Sequence, residues 1–167
     1  PIKSIASYSG TLYLLRNRDF ALLDGDVFIP EPVDWGMLPS SNLRDMQSSG
    51  SRLYLATDRG VSVLRGMALT TLPGEDGLPH DDTTCIANGF NSDIWIGTTT
   101  GAIRKSGDSY HYFGADHWLP GDHVRDIAVS DHTAYVATND GLGIIRYEPY
   151  TLRKKAAFYE RQLEEWG

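Results

Sequence analysis

The chain repeats itself at a period of 40 to 41 residues, and that period constrains the fold more than any other feature. Four aromatic-centred apolar cores recur: Leu12-Tyr13-Leu14, Leu53-Tyr54-Leu55, Ile94-Trp95-Ile96 and Ala134-Tyr135-Val136. Their central rings are spaced by 41, 41 and 40 residues. Three of the cores run into matching turns: Ala56-Thr57-Asp58-Arg59-Gly60, Gly97-Thr98-Thr99-Thr100-Gly101 and Ala137-Thr138-Asn139-Asp140-Gly141. The first copy has lost this turn and reads Leu15-Arg16-Asn17-Arg18-Asp19. A Leu-Pro landmark recurs as Met37-Leu38-Pro39, Gly77-Leu78-Pro79 and Trp118-Leu119-Pro120, with apolar anchors at Ile5, Met46, Ile86 and Ile127. A repeat that holds several landmarks at one spacing is a supersecondary unit, buried only by stacking on its copies.

Each unit reads as about four short strands. A first strand alternates around the anchor, the aromatic strand follows, and a glycine closes the next turn, where positive φ costs little. A third strand and another turn come next, at Asp24-Gly25, Gly66 or Gly107-Asp108, and then a fourth strand such as Ala68 to Leu72 or Ser109 to Phe113. Four antiparallel strands per roughly 40 residues is the pattern of a β-propeller blade. The expected fold is therefore all-β, with four blade repeats over about 1–42, 43–82, 83–123 and 124–149. The first unit starts directly on its first strand at Lys3 to Ala6, and the last stops after Gly143 to Tyr147. Neither end offers a spare strand to close a ring. At about seven blades to a ring, four span little more than half of it. The remaining blades, or a second copy of the chain, are the expected partners. After Glu148-Pro149, Leu152, Ala156, Tyr159, Leu163 and Trp166 keep helical spacing behind a Thr151 cap, so 150–167 is expected to be an amphipathic helix that leads to or packs on another domain.

Composition removes several functions. The 167 residues carry a net charge of −7, which argues against a nucleic-acid partner, since that usually needs a basic face. No apolar run approaches the roughly 18 residues needed to cross a membrane. Cys85 is the one cysteine, so neither an intrachain disulfide nor a cysteine zinc cluster can form. No dinucleotide, P-loop or metalloprotease motif is present, and Asp24-Gly25-Asp26 and Asp81-Asp82 are too short for a calcium loop. No cofactor and no metal is expected. The chain starts at Pro1 without an initiator Met or a signal peptide, as a processed or trimmed piece would.

Ile94-Trp95-Ile96-Gly97-Thr98-Thr99-Thr100-Gly101, preceded by Asp76-Gly77-Leu78-Pro79, resembles the two-component regulator propeller repeat. The resemblance spans about residues 4–147 and implies the propeller fold. Such propellers occur in bacterial sensor proteins and in glycan-degrading enzymes. The segment Tyr150-Thr151-Leu152-Arg153-Lys154-Lys155-Ala156-Ala157-Phe158-Tyr159 is similar to a junction in large secreted proteins related to polysaccharide lyases, where a propeller runs into an all-helical toroid. The usual Thr-Leu-Glu-Glu-Lys-Ala is altered here by Arg153-Lys154. The resemblance thus implies an extracellular or periplasmic propeller that binds or scaffolds acidic oligosaccharide, with catalysis in another part of the parent. The alternatives are the ligand-sensing propeller of a two-component regulator, and a scaffold closing its ring by homodimerisation.

The repeat also sorts candidate residues, because types that recur at one blade position are structural. Thr57, Thr98 and Thr138 read as turn-stabilising, and Asn42 and Asp82 as turn caps. His123 shares their position but not their chemistry. Two constellations remain. Lys3, Arg44, Thr84 and Arg125 occupy one position, two before the anchor, on the strand that lines a propeller's channel. Arg44 and Arg125 there suit a uronate carboxylate, and the competing reading is pairing with Asp45, Asp126 or a neighbouring blade. The second is the stretch holding Tyr110, His111, Tyr112, His117, Trp118 and His123, with His80 in the equivalent linker one unit earlier. Histidine and tyrosine can act as acid and base, and aromatic rings stack on sugar faces. A complete active site is not expected in this chain. Substrate contacts are expected from Arg44, Arg125, His80, Tyr112, His117 and His123.

Overall fold

The computed structural model describes residues 1–16, 20–30, 38–72, 78, 80–147 and 161. Three antiparallel sheets of four strands follow one another along the chain. They are β1 (Ile2–Tyr8), β2 (Thr11–Arg16), β3 (Phe20–Asp24) and β4 (Val27–Pro30); β5 (Leu43–Ser49), β6 (Arg52–Thr57), β7 (Gly60–Arg65) and β8 (Ala68–Leu72); and β9 (Thr83–Asn88), β10 (Ile94–Thr98), β11 (Gly101–Ser106) and β12 (Ser109–Phe113). A three-stranded sheet closes the series: β13 (Val124–Ser130), β14 (Thr133–Thr138) and β15 (Gly141–Arg146). Within each sheet the strands lie in chain order, as hairpins dictate. The first strands β1, β5, β9 and β13 pack in series, which makes them the inner strands of an arc. The helix expected over 150–167 lies outside the described residues, apart from Arg161.

The repeat landmarks are register positions. In every blade the anchor faces the residue after the central aromatic: Ile5 opposite Leu14, Met46 opposite Leu55, Ile86 opposite Ile96, and Ile127 opposite Val136. Side chains on one strand alternate between the two neighbouring blades. Leu53 and Leu55 therefore join Ala6, Tyr8, Leu15 and Phe20 between blades one and two. Tyr54 and Ala56 face the other way, joining Ile86, Ile94 and Ile96 between blades two and three. Trp95 likewise sits with Val124, Ile127 and Val136 between blades three and four. The Leu-Pro leucines Leu38, Leu78 and Leu119 each fill one of these three interfaces. The strict period is thus the period of blade-on-blade burial.

The turns between the second and third strands of blades two, three and four are fastened the same way. Thr57, Thr98 and Thr138 donate their hydroxyls to the carbonyls of Gly60, Gly101 and Gly141 at 2.8, 2.8 and 3.0 Å, and each accepts a turn N–H. Gly101 is held at φ +130°, and a side chain there would meet the Phe113 carbonyl at 2.6 Å.

Gly97 shows how local these fits are. Its counterparts in blades two and four are Ala56 and Ala137. A Cβ on Gly97 would nevertheless lie 2.5 Å from the Cys85 sulfur and 2.7 Å from Val124. Gly97→Ala is expected to destabilise the chain by about 1–3 kcal/mol through overpacking; unchanged chemical denaturation would refute this.

Candidate functional site

One end of the arc gathers the chemistry. The inner strands begin there, since Thr83 of β9 pairs with Thr98 at the end of β10. The adjacent turn Thr99-Thr100 and the end of β12 lie at the same level, because Ala102 pairs with Phe113. The inter-blade linkers also reach this end, so His80, Tyr112, His117, Trp118, His123, Arg44 and Arg125 all share it.

The basic positions are bulges. The register skips one residue in every inner strand, and the skipped residue is Lys3, Arg44, Thr84 or Arg125 in turn. A bulge re-aims the extra side chain out of the pleat, toward the following blade for Lys3 and Arg44. The Lys3 ammonium donates to the Leu43 carbonyl at 2.9 Å, and Arg44 donates to the Thr83 carbonyl at 3.1 Å. Leu43 and Thr83 are the first residues of the next inner strands. Arg44 also pairs with Asp82 at 2.8 Å. The competing reading of pairing with a neighbouring blade therefore holds for Arg44, which is already committed and does not stand ready for a uronate. Asp45 completes the contact: one carboxylate oxygen accepts the Met46 N–H and the other the Ile86 N–H of the next blade, each at 2.8 Å. Burial pushes the Asp45 carboxyl above its ordinary range, against the lowering effect of these hydrogen bonds. Arg125 is exposed and bonded at 2.5 Å to Asn139.

Asn42, Asp82 and His123 each cap the long turn of their blade. Asn42 donates to Asp58 at 3.1 Å, and Asp82 receives both the hydroxyl and the N–H of Thr99 at 3.1 Å. The Ser40 and Asn42 hydrogen bonds hold the Asp58 carboxyl below its ordinary value. His123 supplies its backbone carbonyl to the Asn139 N–H, so its imidazole takes no part in the cap.

Alternation along β12 divides the aromatic stretch in two. Tyr110 packs on the core between blades two and three, and Tyr112 falls on the same side, with its ring 5.0 Å from that of His80. The Tyr112 hydroxyl donates to the Thr100 carbonyl. Burial, with Asp122 and Asp116 behind it, pushes that phenol above its ordinary range. Phe113 points the other way, and Trp118 rests edge-on against it at 5.5 Å. His117 lies beside Trp118 in sequence and sits 3.3 Å from Asp116, both exposed. His80 and Tyr112 thus meet, Trp118 packs on the opposite face of β12 through Phe113, and His117 is tied to Asp116, which lies beside the Tyr112 hydroxyl at Gly114. Cys85 is buried, and burial pushes its thiol up to about 12, out of reach of nucleophilic work at neutral pH. Among the described residues no group of three or more His, Cys, Asp or Glu is placed to hold a metal ion.

No protein-family model and no curated protein matches the chain. Solved structures do. The extracellular domain of a hybrid two-component system protein of B. thetaiotaomicron superimposes with a TM-score of 0.74 at 18% identity, over 88% of this chain and 22% of that one. A catalytically inactive virginiamycin B lyase of Staphylococcus aureus gives 0.68 at 13%, over 86% and 51%. A computationally designed protein, Ika4, gives 0.64 at 13%, over 89% of this chain and 92% of that one. The four units are β-propeller blades. The chain spans under a quarter of the sensor domain and about half of the lyase. At these identities the likeness is one of fold.

Proposed function

We propose that these blades form the recognition part of an extracellular or periplasmic propeller and bind oligosaccharide across the outer strand of the third blade. One observation carries the reading. Tyr112 and Trp118 are 41% and 56% exposed although both lie where neighbouring blades are present on either side. Of the other exposed large apolar side chains, those of β1, β4, β14 and β15 belong to the first and fourth blades, and Met67 sits in a turn of blade two. Two aromatic faces flanking a strand edge, with His80 and His117 as hydrogen-bonding neighbours, suit the apolar and hydroxyl faces of a sugar. The fold likeness to extracellular sensor domains supports a role in sensing. The reading is one of binding, since Arg44 is turned to the blade contact and the Tyr112 hydroxyl is committed to the Thr100 carbonyl. For the same reason uronate-bearing and neutral oligosaccharides are expected to bind alike.

Calorimetric titration with a panel of neutral and acidic oligosaccharides tests this. Tyr112→Ala and Trp118→Ala should each weaken binding by about tenfold, in line with roughly 0.5–1.5 kcal/mol per aromatic contact. The double variant should abolish it while far-ultraviolet dichroism shows the chain still folded. Binding that survives the double substitution would overturn the reading.

A further inference from the structure

At the end away from the linkers, the contact between blades two and three opens into a hollow of about 330 Å³ that Arg52, Tyr54, Arg65, Lys105 and Asp108 help to line. The strand registers bring three cations to it. Leu53 pairs with Leu64, so Arg52 and Arg65 stand across from each other one step further out. They share the face that Tyr54, Val61 and Val63 turn toward blade three. Lys105 pairs with Ile94 and Tyr110, which belong to that same core, so it approaches the hollow from blade three. Two facing blades thus place three positive charges together in a chain of net charge −7.

Like charges directly opposite on one face of a sheet are destabilising. Among the described residues neither Arg52 nor Arg65 forms an ion pair. Lys105 donates to the Gly107 carbonyl of its own turn, with its nitrogen 5.4 Å from the centroid of the Tyr110 ring. Asp108 is the one carboxylate of the lining, set against three cations.

Blade packing does not call for these charges. The register positions of Arg52 and Arg65 hold Thr11 and Asp24 in blade one, and Asp93 and Ser106 in blade three. The Lys105 position holds Leu64 in blade two and Ile145 in blade four. Where blade three does carry a charge at the equivalent place, in Asp93, Arg104 answers it at 2.5 Å.

We propose that the hollow is an anion site that takes a tetrahedral dianion, a phosphate that is free or the monoester of a small molecule. Three cations less one carboxylate leave two charges to balance, and phosphate carries about −1.5 to −2 at neutral pH. The two guanidinium forks would donate to its oxygens from blade two, and the Lys105 ammonium from blade three. The hollow lies at the other end of the blades from Tyr112 and Trp118, so it stands or falls independently of the sugar reading.

Calorimetric titration of the chain with inorganic phosphate, glucose 6-phosphate and acetate, at neutral pH and fixed ionic strength, tests the site. Saturable binding of phosphate or its ester is expected, with acetate weaker. Arg52→Gln and Arg65→Gln alter exposed side chains, so each should keep its far-ultraviolet dichroism while binding about tenfold more weakly, the low end for hydrogen bonds to charged groups. Arg59→Gln, exposed at the linker end, should bind as the wild type does. Tighter binding of the ester would assign the hollow to a phosphorylated small molecule, and tighter binding of inorganic phosphate to the free ion; both uphold the site. No saturable binding of either, acetate binding as tightly, or binding that both hollow variants retain would overturn the proposal, as would an equal loss in Arg59→Gln.

Discussion

Trp95→Ala is expected to cost about 3–5 kcal/mol, the range for removing a large aromatic side chain from a packed core. That is a large share of the roughly 5–15 kcal/mol by which domains are stable. Trp95 is fully buried at the centre of blade three, stacked on Phe113 at 5.2 Å and 24° and tilted against Tyr147 at 5.5 Å. Tyr147 is held in turn by the Arg104 guanidinium 4.0 Å over its ring, and Arg104 is paired with Asp93. Removing the indole therefore opens a cavity and unseats the contact between blades three and four. The indole Nε1 is buried without a hydrogen-bond partner, so its loss relieves one unmet donor and places the cost toward the lower end. Trp95→Phe keeps the stack and removes that donor, and should cost under about 1.5 kcal/mol. Urea unfolding of both variants is the measurement. Equal costs would show that the nitrogen, not the stacked ring, matters.

Asp45→Ala is the second large expected effect, at about 2–3 kcal/mol. The carboxylate joins the Met46 N–H of its own blade to the Ile86 N–H of the next, and Ser4 Oγ is a second, longer acceptor for Met46 at 3.4 Å. Its removal leaves both donors without that acceptor, and hydrogen bonds to charged groups are worth about 1.5–3 kcal/mol each. The cost should also depend on pH in a definite direction. The folded-state pKa lies above the ordinary value because of burial, so the unfolded chain gives up its proton more readily. Wild-type stability relative to the alanine variant is thus fully present below the ordinary carboxylate pKa of 3.8 and declines as pH rises through the folded value. Paired denaturation curves at pH 4 and pH 7 check the sign; a difference that grows with pH would refute it.

The blade repeat was legible because every landmark is a buried contact. An anchor, an aromatic and a Leu-Pro leucine must meet the same partners in each copy, so their spacing cannot drift. The turn threonines and the caps Asn42 and Asp82 were legible for the same reason. The bulge was not. Lys3, Arg44, Thr84 and Arg125 were recognisable as one position, but alternation alone aims that position at the channel, and the bulge turns Lys3 and Arg44 to the next blade. The available signal was the short acceptor directly after it, Ser4, Asp45 or Asp126, whose purpose shows only once the neighbouring anchor N–H is in view. The histidine and aromatic stretch was legible as a cluster by composition. That Tyr112 meets His80 while Phe113 carries Trp118 on the other face follows from the pleat of β12, because neighbours in sequence face opposite ways across a strand.

Recognition at the linker end is most directly tested by an indole-resolved NMR titration of the labelled chain with the oligosaccharide panel. The exposed Trp118 indole N–H resonance is expected to shift in a saturable manner while that of the buried Trp95 stays in place. A panel in which no sugar moves Trp118, or in which Trp95 moves and Trp118 does not, would contradict it.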